Sequence, residues 1–392
     1  MKPPDFLEFA TGIVGLSAEE LEGLDHASHG GPDSLGWTTV PRVPGFAMLP
    51  AEMLLRPETA AELPRSDAAP MALPSGIVAL DSGDTLSLVA GAVRKRIHGR
   101  EHTMLAFNGQ VPGPLLKVER GSEVVIRFEN HLEQPSTVHW HGVRLNAAMD
   151  GVPGLSQEPV PPGGRFDYTV RFPDAGLYWY HPHVRESMQQ DLGLSGNIMV
   201  RGLQGLPVVA REEILLLDDI LIGEHGLVPY GRGAATHALM GRFGNTFLIN
   251  GEPRWKTSAH PGETLRLWFT NAANTRTFNL SVSGAAHRLV ATDLGAFARP
   301  IAVESVVLGP AERYAVDVKL DGAGPWALVN RVRAVDHLYG RFVQQVDTLG
   351  VIEPLAGEPS PPPVEVPAMD SSITDGGLAD SALEPDLVLE FG

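Results

Sequence analysis

The chain has 392 residues, 43% of them hydrophobic, a length that accommodates two or three domains. Its formal net charge of −17 disfavours nucleic-acid and anionic-membrane partners, and no window of about 18 apolar residues is present to span a bilayer. Cysteine is absent, so these residues supply no disulfide, no nucleophilic thiolate and no thiolate metal ligand.

Residues 1–75 lack strand patterning and read as an irregular N-terminal extension, with weak helical periodicity only in "SAEELEGL" and "PAEMLL". Asp5, Glu8, Glu19 and Glu20 interrupt any apolar core, so the segment does not read as a secretory signal. The whole chain has 43 glycines and 33 prolines, and after residue 75 they punctuate short runs such as "SEVVIRFEN", "FDYTVRF", "NIMVRG" and "ETLRLWFTN". Short strands with frequent turn signals predict an all-β fold of sandwiches or barrels. "SMQQDL" is a further weak helical candidate.

The chain also repeats itself. "FNGQVPGPLLKVERGSEVVIRFENHL" places Asn108-Gly109, Gly121 and Asn130 where "INGEPRWKTSAHPGETLRLWFTNAAN" places Asn250-Gly251, Gly262 and Asn271. An offset of about 142 residues suits a duplicated domain rather than a solenoid. The predicted organisation is therefore an extension at 1–75, a first β domain at 76–205, a second at 206–355, and a tail at 356–392. "GLQGLPVVAREE" reads as the inter-domain linker, and the tail is acidic, Pro-rich and nearly free of aromatics.

The copies diverge after the shared asparagine. The first continues "TVHWHGVRL" and later "LYWYHPHVRE"; the second continues "TRTFNLSVSG", with no histidine pair. Strand side chains alternate faces, so His139 and His141 point one way and Trp140 the other, and His181 and His183 share a face likewise. A lone strand histidine is more often a hydrogen-bonded core residue than a ligand. Two His-x-His pairs forty residues apart in one β domain favour metal, with up to four imidazoles meeting at one point. Neutral imidazole suits copper, zinc, iron and nickel; the affinity order and the lack of a carboxylate within either His-x-His triplet favour copper. Pro182 donates no ladder bond and suits an edge or loop shoulder. Asp150 in "AAMDGVPG" could orient a ligand or relay a proton, or simply make an Asp-Gly turn. Asp218-Asp219 reads as a strand end or turn rather than a metal site, and the remaining histidines show no ligand spacing.

"FNGQVPGP", "TVHWHG", "DAGLYWYHPHV" and "GLSGNIMV" resemble the first domain of the multicopper oxidases, laccase-like enzymes built from cupredoxin domains; "FLINGEPRW", "LRLWFTNAANTRTF" and "RYAVDV" resemble their second. The resemblance covers about residues 76–355 and implies two tandem cupredoxin-like Greek-key β-sandwich or barrel domains. It implies that His139 ligates a type 2 copper, His141 and His181 one type 3 copper, and His183 the other. It further implies that Asp150 helps deliver protons as O2 is reduced to water, while a small reducing substrate (a phenol, amine or metal ion) loses single electrons. The family completes this cluster with histidines of a third domain, which also holds a type 1 copper on a cysteine thiolate. Neither feature occurs in the sequence, so the expectation is the N-terminal part of such an oxidase, with half of the trinuclear site and no type 1 copper. Such a chain would be inactive alone and would need the third cupredoxin domain or a complementing chain as partner. The alternative is a non-enzymatic copper-binding or scaffold cupredoxin protein. A metal hydrolase is disfavoured by the lack of an Asp or Glu ligand and base beside the histidines. Compartment stays open: the resemblance points to the periplasm or outside, and the sequence shows no export signal.

Overall fold

The computed structural model describes residues 63–64, 69–231, 237–238, 241–293, 295–336 and 341–357. The helical candidates before residue 56 and the tail beyond residue 357 lie outside these. Residues 69–75, assigned above to the extension, attach to the first unit through bridges Met71 to Arg94 and Leu73 to Gln110.

The first unit comprises β1 (Ile77–Leu80), β2 (Thr85–Ile97), β3 (Arg100–Phe107), β4 (Leu115–Glu119), β5 (Glu123–Asn130), β6 (His139–His141), β7 (Arg165–Arg171), β8 (Gly176–His181) and β9 (Gly196–Arg201). They form a four-stranded sheet, ordered β3-β2-β5-β7, and a five-stranded sheet, ordered β1-β4-β9-β8-β6. Period-two patterning drives their packing: in β5, Val124, Ile126 and Phe128 turn inward while Glu123 and Arg127 face water. One apolar cluster joins the two sheets, from Leu88, Ile126, Phe128 and Tyr168 on one side to Val118, Trp140, Tyr180 and Ile198 on the other.

The second unit repeats the plan. Its strands are β10 (Arg211–Ile220), β11 (Ile222–Gly223), β12 (Gly226–Leu227), β13 (Thr246–Ile249), β14 (Trp255–Ala259), β15 (Thr264–Asn271), β16 (Phe278–Val282), β17 (Ala285–Thr292), β18 (Gly295–Val303), β19 (Val306–Leu308), β20 (Arg313–Leu320), β21 (Trp326–Asp336) and β22 (Arg341–Pro354). Apart from the small β11-β12 pair, they form sheets β13-β10-β15-β20-β17-β18 and β14-β22-β21-β16-β19 around a second core that includes Leu217, Leu267, Val316, Trp326 and Ile352.

The repeated asparagines have the same local job in both units. Asn108 accepts from Val89 N (2.7 Å) and donates to Ser87 O (2.9 Å); Asn250 accepts from Leu216 N (2.8 Å) and donates to Ile214 O (3.0 Å). Both sit at φ 51°, a left-handed conformation that asparagine tolerates better than most residues. Asn130 and Asn271, each fully buried at a strand end, each donate to two backbone carbonyls and accept from the amide two residues on. Side chains thus satisfy backbone groups that the ladders leave unpaired.

The two units share an apolar interface. Leu177 and Met199 pack with Trp268, Val290, Ala291 and Ala315, and Trp179 packs with Leu216 and Ala272.

Candidate metal centre

The histidines occupy the edge of the five-stranded sheet. β6 is its last strand and pairs antiparallel with β8, with His139 opposite His181 and His141 opposite Trp179. Alternation does what the pattern implies: Trp140 is fully buried against Tyr168, leaving His139 and His141 on the opposite face. Pro182 follows the last residue of β8, where no ladder donor is required. His183 therefore lies beyond the strand, held by its backbone N–H donating to Thr137 Oγ1 (3.2 Å).

The four rings converge. Centroid separations from His139 are 5.5 Å to His141, 5.4 Å to His181 and 4.5 Å to His183, and His181 lies 5.2 Å from His183. One potential ligand atom from each of His139, His141 and His181 lies within 4.8 Å of the other two; His181, His183 and Glu186 form a second such group. Nδ1 of His141 faces Nε2 of His181 at 3.3 Å. That gap is the chord spanned by two metal–nitrogen bonds of about 2.0 Å at a near-tetrahedral angle, so the pair fits a shared cation.

Neighbouring acceptors assign the tautomers. His139 Nδ1 lies 2.8 Å from Asp150 O and 3.0 Å from Asp150 Oδ1, so Nδ1 carries the proton and Nε2 presents a lone pair to the cluster. Asp150 reaches this place on a 3-10 turn, Ala147–Met149, followed by Gly151 at φ 76°. A Cβ on Gly151 would overlap the carbonyl of Val138, so only glycine lets this segment dock on the His139 backbone. His181 Nδ1 faces Pro182 O (3.0 Å) and Glu186 Oε1 (3.3 Å), leaving its Nε2 unprotonated and turned toward His141.

Burial keeps three of the rings neutral. Burial pushes His141 down to about 3, with the Arg313 guanidinium and the His139 and His183 rings adding to the effect. His181, 2% exposed, is driven well below the usual imidazole range by burial and then by its three neighbours. Burial also lowers His183, followed by His139, with Glu186 and Asp150 opposing. Neutral imidazole is the form that ligates.

Four contributors escaped the sequence reading. Trp179 stacks on His181 (4.1 Å, 21°) and leans on His141 (5.0 Å, 31°). Glu186 opens a one-turn helix, Glu186–Gln189, earlier and shorter than the "SMQQDL" candidate; its place three residues past His183 was the available signal. Gln189 of the same turn accepts from Ser136 Oγ (2.7 Å) and donates to Pro135 O (2.9 Å), tying the helix to the approach of β6. Arg313 comes from the other unit. Asp218 and Asp219 lie near the end of β10, buried and outside the groups of potential metal ligands that the histidines form.

Tandem cupredoxin-like sandwiches with a four-imidazole cluster in the first define a copper protein, and two profiles described as multicopper oxidase match residues 90–205 and 224–349. The chain belongs to the multicopper oxidase family. It is 30% identical to a structure of a multi-copper oxidase from Pseudomonas thermotolerans, with 74% of this chain and 68% of that one aligned at a TM-score of 0.62. It is 32% identical to Lac15 from a marine microbial metagenome, covering 73% and 70% at a TM-score of 0.60. A copper resistance protein A homolog of Pseudomonas syringae pv. tomato matches at 27% identity over 76% of this chain and 56% of its own length. Multicopper oxidase MmcO of Mycobacterium tuberculosis matches at 32% over 61% and 52%. The chain thus spans about half the length of the curated relatives it matches.

Proposed function

We propose that this chain provides half of a trinuclear copper site for an oxidase that couples single-electron oxidation of a small substrate to reduction of O2. In this reading, His139 holds a type 2 copper through Nε2, His141 Nδ1 and His181 Nε2 share one type 3 copper, and His183 holds the other. The observation that carries it is the 3.3 Å approach of Nδ1 of His141 to Nε2 of His181, a hydrogen-bond distance without metal and also the separation of two nitrogens bound to one cation. Copper bound there supplies single-electron redox chemistry. The chain's own part is to keep His141, His181 and His183 neutral by burial, to fix the His139 tautomer through Asp150, and to place the Asp150 carboxylate, whose side chain is 33% exposed, between the cluster and solvent as a proton relay.

The described cluster offers four imidazoles on one side and no thiolate, since the sequence has no cysteine. The oxidase therefore needs further histidines and a cysteine-bearing cupredoxin segment, from a longer polypeptide or a second chain, and these residues alone do not turn over. The test is copper content by atomic emission on the unaltered chain and on His141→Ala and His181→Ala, then O2 uptake with and without a polypeptide carrying a cysteine-bearing cupredoxin domain. We expect bound copper that falls in both variants, no O2 uptake alone, and blue colour with O2 uptake in the mixture. Equal copper in all three proteins would overturn the ligand assignment. Stoichiometric copper with a mixture that stays colourless would favour a non-enzymatic copper-binding protein.

A further inference from the structure

We propose that Arg313, from the unit without histidine pairs, is a positioning residue of the copper cluster: it locks the turn after His141 and so aims Nδ1 of His141 at His181. The proposal rests on the copper reading above and extends it to the second unit, which then shapes the site without ligating anything. Arg313 opens β20 and is 5% exposed. Its guanidinium reaches β8 and the residue that follows β6. Nε donates to Leu177 O in β8 (3.1 Å), four residues before His181. On the other side, a Cβ on Gly142 would overlap Nη2, so the guanidinium fills the space that a side chain directly after His141 would take. Gly142 sits at φ 82°, where glycine is unstrained.

The arginine itself is anchored in its own unit. Nη1 donates to Ala311 O (3.1 Å) and pairs with Asp293 Oδ1 (2.6 Å), and the same carboxylate oxygen accepts from the Arg313 backbone N–H (2.8 Å). The Tyr178 ring lies 5.9 Å from Cζ and completes the enclosure. A planar, always-charged fork with several fixed acceptors transmits position, where a flexible ammonium would transmit only charge. Orienting contacts of this kind around a metal ligand are typically worth about 10–100-fold in metal affinity.

The experiment uses the full chain with Arg313→Met, Arg313→Lys and Asp293→Asn. Readouts are the thermal midpoint, copper(II) affinity by competition titration, the electron paramagnetic resonance of bound copper(II), and the imidazole nitrogen resonances of the copper-free protein. We expect Arg313→Met to lose about tenfold in copper affinity, to alter the copper resonance, and to shift or broaden the His141 nitrogens while those of His139 stay in place. Arg313→Lys, with the charge but not the fork, recovers less than half of that loss. If Arg313→Met does not fold, Asp293→Asn, which keeps the arginine but loosens it, carries the test with a loss of about threefold. A folded Arg313→Met, or Asp293→Asn where only that folds, with copper affinity within twofold and unchanged His141 resonances overturns the proposal. Should the unaltered chain take up no copper, the copper reading fails, and the copper-free His141 resonances still decide the role of Arg313.

Discussion

At the scale of single residues, the cluster depends on backbone docking as much as on the rings. Asp150 meets His139 twice, once with its carbonyl and once with its carboxylate. Asp150→Ala removes the second contact and keeps the first, so the His139 tautomer survives. We expect a loss of about tenfold in copper affinity with little change in the thermal midpoint. Gly151→Ala instead drives a methyl into the Val138 carbonyl at φ 76° and must displace the loop. It should cost about 2–3 kcal/mol of stability and remove both contacts. Gly163, at φ 74° with nothing within 4 Å of where a methyl would sit, isolates the conformational part: Gly163→Ala should cost only about 1 kcal/mol. Urea unfolding with copper titration separates the three, and equal costs at 151 and 163 would refute steric docking. The common face of His139, His141 and His181 was legible in the sequence because strand alternation is a local rule; alternation predicts the same face for His183, but it lies beyond β8, and its place, like that of Asp150, follows from the turn that carries it. Arg313 was not legible, because it reaches Leu177 across 136 residues. Trp179 stands inside the histidine motif, yet its stacking on His181 follows from ring placement rather than from spacing.

At the scale of elements, the strands and the duplication were readable because each depends on short-range grammar: apolar alternation closed by Asn-Gly or Gly. The pairing order was not, since β2 with β5 and β4 with β9 are parallel neighbours joined through distant segments. The duplicated asparagines make a quantitative claim possible. Asn108→Ala strands Val89 N and Ser87 O, and Asn250→Ala strands Leu216 N and Ile214 O. Each loses two side-chain bonds to the backbone and meets the same left-handed strain, so each should cost about 2–3 kcal/mol. Denaturant unfolding of the two variants should give costs within about 1 kcal/mol of each other. A large cost at one site and none at the other would mean that the shared motif no longer has a shared function.

At the scale of the whole molecule, the interface between the units buries opposing titrations. Besides the apolar contacts, it encloses Asp191 from the first unit and Asp218 and Asp219 from β10. Tyr230 donates to Asp191, Arg242 Nε lies 3.4 Å from Asp191 Oδ2, and Arg276 Nε lies 2.5 Å from Asp219 Oδ2. Asp218 instead accepts from the Asp219 backbone N–H (2.8 Å). Burial pushes the Asp218 carboxyl well up, and repulsion from Asp191 and Asp219 pushes it further. A carboxyl raised in the folded state binds more protons there than when unfolded, so its effect is a loss of stability as pH rises from about 4. The histidines act in the opposite sense: His141, lowered to about 3, takes stability away as pH falls from about 6.5 toward that value. The two effects oppose each other between about pH 4 and 6.5; below about pH 4 the histidine limb acts without the Asp218 limb, and above about pH 6.5 the Asp218 limb acts without the histidine one, so stability should fall toward both extremes. Asp218→Asn keeps an acceptor for the Asp219 N–H and removes the ionisation. It should raise the thermal midpoint by about 2–4 °C at pH 8, the size of a gain of roughly 1 kcal/mol, and by less at pH 5. The histidine contribution is common to both proteins and cancels in the difference. A gain of the same size at both pH values would show that Asp218 titrates alike in the folded and unfolded protein, and a loss at pH 8 would show that it is ionised and stabilising when folded; either would place the alkaline limb elsewhere.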